Sequence, residues 1–154
     1  MNIVLEWLKS TPNRTFILYP VVVIVFEFLR RGILFDVQPA GIPLLLWGYL
    51  QYRLTGWFRS KRGGGGPGLH TPPDRLVTSG PYRYVRNPMY LGHLIFMTGL
   101  ALTFWSVLAL LILVANAAWF HVRVLHDEAR MEALFGDDFR AYKRRVRRWL
   151  PGLL

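Results

Sequence analysis

The 154-residue chain has no cysteine, which excludes disulfides, thiolate metal sites and cysteine nucleophiles and leaves the redox compartment open. Acidic residues are scarce too, with 9 Asp and Glu against 19 Lys and Arg for a formal charge of +10. Such an excess can serve nucleic acid, but neither a single-strand stacking platform nor a groove-reading helix is discernible, so no nucleic-acid partner is expected. The basic residues gather after Trp57 and in the last dozen positions, the distribution of cytoplasmic loops facing anionic headgroups. A nucleotide phosphate loop is missing as well, since the glycines of residues 63–66 follow no strand and precede no GK[ST]. His70 has no second ligand candidate at metal-binding spacing; it reads as a loop histidine, and no metal is expected. The first fourteen residues hold a short apolar piece without a small-residue cleavage site, an interfacial anchor more than a signal peptide.

What the chain does have is apolar sequence in long runs. Hydrophobic residues make up 53% and aromatics 15%, without amphipathic patterning, so the bilayer is the expected solvent. The length suits one domain covering residues 1–154. A first span is expected over residues 15–35, where Glu27 at membrane depth finds Arg30 and Arg31 three and four residues on. A second, residues 39–57, carries Gln51 and Arg53 where the bilayer should end, placed to snorkel. Residues 59–74, RSKRGGGGPGLHTPPD, form a flexible linker that would suit a mobile lid. From Pro88 to about Leu125 the run is too long for one crossing and must fold back near residues 103–106. Gly92 and Gly99, seven apart, would let a neighbouring helix approach; His93 reads equally well as a bundle histidine or a pocket residue. Beyond Trp119, Arg123 and Asp127 share a helix face while Glu128 points about 100° away. Gly136 interrupts the helix, and Met131, Phe135, Phe139, Tyr142 and Val146 recur opposite a basic face, an amphipathic segment for the cytoplasmic surface. The fold class is therefore an all-α polytopic membrane protein of about four transmembrane helices, the last two a hairpin, plus that C-terminal amphipathic helix. The basic loop and tail place the site on the cytoplasmic face of the inner membrane.

Residues 76–90, LVTSGPYRYVRNPMY, are the polar, turn-rich segment that leads directly into a hydrophobic span. Gly80-Pro81 sets a tight turn, and Asn87-Pro88 reads as a helix start with Asn as cap and Pro at the first position. Free amides there, with Arg83 and Arg86 beside them, would attract an anionic group.

LVTSGPY and RNPMY, followed far downstream by an acidic pair, FG and a basic tail, resemble the membrane methyltransferases that include isoprenylcysteine carboxyl methyltransferases and phosphatidylethanolamine N-methyltransferases. The resemblance covers roughly residues 67–151. It implies S-adenosylmethionine as cofactor, held by Leu76, Val77, Tyr82, Asn87, Pro88, Met89 and Tyr90 together with Asp127 and Glu128. Arg123 falls on a substrate-contacting arginine, and Arg123 with Glu128 on the catalytic positions. Asn87 stands where the isoprenylcysteine enzymes carry histidine, and Asp127 replaces the first glutamate of the pair, which makes Glu128 the better expected cofactor carboxylate. The acceptor would be lipophilic or small; a lipophilic one would enter from the bilayer and the cofactor from the cytoplasm. Two other functions stay open: a nicotinamide-dependent membrane reductase of the steroid-reductase type, and a non-catalytic adaptor binding anionic lipid through its basic tail.

Overall fold

The computed structural model describes residues 3–32, 36–69 and 71–149; His70, the end of the expected first span and the last residues of the tail lie outside them. In order come α1 (Ile3–Lys9), α2 (Thr11–Asn13), a π turn (Arg14–Leu18), α3 (Tyr19–Arg31), α4 (Ile42–Gly63), α5 (Pro88–Phe104) and α6 (Val107–Arg145). Short 3-10 turns at Pro39–Gly41 and Gly80–Arg83 introduce α4 and α5. Among the described residues no strand forms, and a lone bridge joins Val85 to Arg147. The chain is an all-α membrane protein, as its composition requires.

The π turn has a local cause. Pro20 has no N–H, which breaks the helical ladder one turn earlier, and the chain answers with a wide turn in which the Tyr19 N–H reaches the Arg14 carbonyl. Two stretches, Thr11–Arg31 and Val107–Arg145, are long and apolar enough to cross a bilayer, and only 17% of each apolar window is buried in protein. That exposure separates them from the core helices of a soluble protein: Val21, Ile24, Val25 and Leu29 on α3, and Val107, Leu111 and Val114 on α6, face outward. α5 is apolar but has 17 residues, below the roughly 20 of an untilted crossing. α4 runs six residues past the expected end at Trp57, into the basic stretch.

The chain divides into two compact units. The first comprises Met1–Leu50 and Gly92–Ala117. Here α4 and α5 pack backbone to backbone. A Cβ on Gly48 would lie 2.4 Å from the Phe96 nitrogen, and one on Gly99 would lie 2.7 Å from the Leu45 nitrogen. Gly92 and Gly99 thus serve the close approach expected of them, against a matching pair, Gly41 and Gly48, also seven apart. The hairpin turn falls where expected: Trp105 takes a left-handed φ of 45°, and the Ser106 hydroxyl accepts the Ala109 N–H at 3.3 Å to start α6. Glu27, fully buried, accepts Arg30 at 2.9 Å and Arg31 at 2.7 Å, the neutralising pair its spacing anticipates. Arg31 also donates to the Trp105 carbonyl at 2.9 Å, tying the end of α3 to the hairpin turn.

The second unit comprises Gln51–Leu91 and Ala118–Leu154. Its linker is tied at several points, where free movement was expected. Gly64 N–H donates to Ser60 at 3.0 Å, Gly65 N–H to the Asp74 carboxylate at 3.0 Å, and Arg75 N–H to Gly63 at 2.9 Å. Gly64 and Gly65 adopt φ of 72° and 63°, which glycine accepts without strain. The expected break at Gly136 is present, at φ 52° within α6. Phe139, Tyr142 and Val146 then bury against Leu76, Met131 and Phe135. The apolar stripe expected to lie on the membrane surface is therefore consumed by the protein's own core.

The glycine contact yields a stability prediction. Gly48→Ala and Gly99→Ala each force backbones apart and should cost about 1–3 kcal/mol, read as a lower melting temperature in detergent. Gly68→Ala, whose new methyl would meet nothing within 4 Å, should leave the melt unchanged.

Candidate functional site

The second unit contains a partly open cleft enclosing about 780 Å³ of non-protein space, open solvent included. Three stretches wall it, with Arg59 of α4 beside them: the loop from Leu69 to Val77, the segment from Tyr82 to Tyr90, and α6 from Asp127 through the Gly136 break to Tyr142. All nine residues expected around a cofactor, namely Leu76, Val77, Tyr82, Asn87, Pro88, Met89, Tyr90, Asp127 and Glu128, line this one cleft. Arg123 does not; it lines a shallow groove beside Asp127 with Trp119, Val122 and His126. His93 lies in the first unit, buried and stacked on Phe16 with ring centroids 4.7 Å apart.

The start of α5 sets the inner wall. Pro88 opens the helix, and the Asn87 carbonyl accepts the Leu91 N–H at 3.1 Å. Gln51, expected to snorkel, instead donates to the Pro88 carbonyl at 2.9 Å and pins that helix start to α4. Tyr90, one turn inside and 3% exposed, packs edge-on against Phe120 with centroids 5.1 Å apart. Its hydroxyl donates to Asp127 Oδ2 at 2.6 Å and accepts Arg123 Nε at 3.0 Å. Arg123 also lies over the Trp119 ring at 5.5 Å. The helical spacing of Arg123 and Asp127 thus becomes a relay in which one phenol fixes both a guanidinium and a carboxylate.

Glu128, one residue on, points elsewhere. Arg86 Nε donates to it at 3.0 Å, Arg148 Nη2 at 3.0 Å and Asn87 Nδ2 at 3.3 Å. The remaining Arg86 hydrogens reach the carbonyls of Lys143 at 3.0 Å and Val146 at 2.6 Å. Burial alone would raise the Glu128 carboxyl, but the hydrogen bonds from Arg148 and Arg86 and their charges outweigh it and hold the group below its ordinary value. Two expectations change here. The Asn87 amide nitrogen is turned toward Glu128, and Arg86 is committed to that carboxylate, so neither waits beside the helix start for an anion. Arg83 is exposed. Arg148, read from sequence as part of a solvated basic face, is a partner of the most buried acid in the unit.

The tail is latched a second time where the Tyr142 hydroxyl donates to the Tyr82 carbonyl at 2.6 Å. Burial pushes the Tyr82 phenol up to about 12, opposed by the charge of Arg59, and raises Tyr142 as well. Sequence reasoning did not bring Arg59, Leu69, Thr71, Pro72, Pro73 and Arg130 to the cleft, and it placed Met131, Phe139 and Tyr142 on the membrane surface instead. Composition pointed to a lid in the linker, but nothing in a glycine-rich string says which side chains turn inward.

The phospholipid methyltransferase family model matches residues 39–138, which contain every expected site residue. Over 78 residues the chain is 34% identical to protein-S-isoprenylcysteine O-methyltransferase of Schizosaccharomyces pombe, covering 49% of this chain and 33% of that protein. Over 89 residues it is 30% identical to methanethiol S-methyltransferase 1 of Bradyrhizobium diazoefficiens, covering 54% of this chain and 29% of that protein. The chain therefore matches about a third of the length of these curated relatives.

The Glu128 geometry predicts an acid-sensitive latch. Its folded carboxyl lies below the unfolded value, so the stabilisation is complete above the ordinary carboxylate range and is lost as pH falls through the folded value. Glu128→Gln should lose about 3 kcal/mol at neutral pH, because two guanidiniums are left facing a neutral group. The gap in melting temperature between wild type and this variant should begin to narrow as pH drops below about 4 and close only below the depressed folded value. A gap that persists unchanged into acid would show that charge is not what holds the tail.

Proposed function

Because the chain belongs to the phospholipid methyltransferase family, we propose that it is an integral membrane enzyme that moves a methyl group from S-adenosylmethionine to a lipophilic or small acceptor. The observation that carries this reading is the convergence of two distant sequence blocks, residues 76–90 and 127–128, on one cleft. We further assign the basic stretches after Trp57 and beyond Gly136 to the cytoplasmic face, with about four crossings and a single functional domain.

The lining suits the cofactor chemically. Tyr82, Tyr90 and Tyr142 offer aromatic faces to a sulfonium, and Asp127 offers a carboxylate to a cationic group. Glu128, already held by two arginines, is left the structural role, which shifts the cofactor contact expected of it to its neighbour. Bound in the cleft, S-adenosylmethionine supplies an electrophilic methyl group to an in-line attack in which positive charge is neutralised. The protein's task is then alignment and exclusion of water more than strong acid catalysis.

Arg123, held by the Tyr90 hydroxyl and stacked near Trp119, presents a positive charge at the edge of the groove and can orient a carboxylate, phosphate or thiolate acceptor. For an amine acceptor a proton must leave, and Asp127 Oδ1 is the oxygen that Tyr90 does not engage. Isoprenylcysteine and methanethiol, carried in the names of the two relatives, and phospholipid, carried in the name of the family, define the acceptors to test.

Incubating the purified chain with methyl-labelled S-adenosylmethionine and, in parallel, a total lipid extract, a prenylcysteine analogue and methanethiol should label one of them. Asp127→Ala and Arg123→Ala should each lower that transfer at least about tenfold. Absence of label in every acceptor with the wild-type chain would contradict the reading.

A further inference from the structure

Three arginines line the cleft, and they differ in what their guanidiniums have left to offer. Arg86 is committed on every side, to Glu128 and to two tail carbonyls. Arg130 sits on the exposed face of α6, where water screens its charge. Arg59, on the last turns of α4, is half-buried, and its Nη2 is pinned by the carbonyls of Gly66, at 2.9 Å, and Gly68. Its Nε is buried and has no hydrogen-bond partner among the described residues.

An arginine fork held by two carbonyls has already lost most of its rotamer freedom, so a carboxylate that reaches it from the cleft it lines gains charge-assisted hydrogen bonds at little further entropic cost. A buried donor without a partner is also costly until something accepts from it. Arg59 and Tyr82 both line the cleft.

We propose that Arg59 is the carboxylate-recognition residue of the cleft, gripping the α-carboxylate at the amino-acid end of S-adenosylmethionine; the assignment rests on the cofactor reading above. Because Arg59 is pinned to the glycine-rich loop, the same contact couples that loop to the bound ligand.

The test is equilibrium binding by calorimetry on the full chain in detergent, with two thioethers: S-adenosylhomocysteine, which has the amino-acid end, and methylthioadenosine, which lacks it. Arg59→Gln should weaken S-adenosylhomocysteine by about tenfold or more and leave methylthioadenosine within about twofold. Arg130→Gln, at the rival arginine, should not reproduce that selective loss. Asp74→Ala, which frees the same loop at Gly65 while keeping Arg59, separates recognition from loop support. The proposal is overturned if Arg59→Gln weakens both ligands equally or neither, if Arg130→Gln takes the selective loss, or if Asp74→Ala reproduces it. Failure of the wild-type chain to bind either thioether would instead overturn the cofactor reading, and this assignment with it.

Discussion

One buried carboxylate organises the second unit. Glu128 is held by guanidiniums from the segment before α5 and from the tail beyond the Gly136 break, and Asn87 adds a third donor from the helix start itself. A lone carboxylate at this depth would protonate or stay wet; surrounded by five donated hydrogen bonds it stays charged and fixes three pieces of chain at once. The consequence is positional. With Glu128 turned to its clamp, the helical twist turns Asp127 the other way, onto the hydroxyl of Tyr90. The neighbouring acids thus divide their work, one holding the wall and the other facing the chemistry.

The first unit obeys a different solvent. Its helices leave large aliphatic side chains outside and bring glycines inside, because in a bilayer burying leucine gains little while close backbone packing gains dispersion and weak hydrogen bonds. Glu27 follows the same rule as Glu128 at membrane depth: it is tolerated because Arg30 and Arg31, one turn on, reach back to it. Both units handle buried charge by pairing it locally with arginine.

Much of this was legible from the residues. Asn87-Pro88 announced the start of α5, an apolar run too long for one crossing announced the hairpin, and Gly136 announced the break in α6, since each is a local steric or length constraint. The nine cleft residues were legible through resemblance, which carries spacing that physics alone does not supply. What stayed hidden were partnerships between distant residues. A stripe such as Phe139, Tyr142 and Val146 has the same periodicity whether it faces lipid or Leu76, and only the folded chain decides. Likewise Arg148 looks like its basic neighbours in the string, yet it is the one that donates to Glu128 among the described arginines of the tail. Gln51 was misread for a related reason: a polar residue near a helix end can reach water or reach a carbonyl, and the Pro88 carbonyl is not visible in a linear sequence.

The central claim is that three separated stretches enclose one ligand. Amide hydrogen exchange on the full chain, with and without S-adenosylhomocysteine, measures this directly. The account predicts that residues 69–77, 82–90 and 127–131 gain protection together while residues 107–117 do not change. Protection confined to one stretch, or absent from the start of α5, would contradict it.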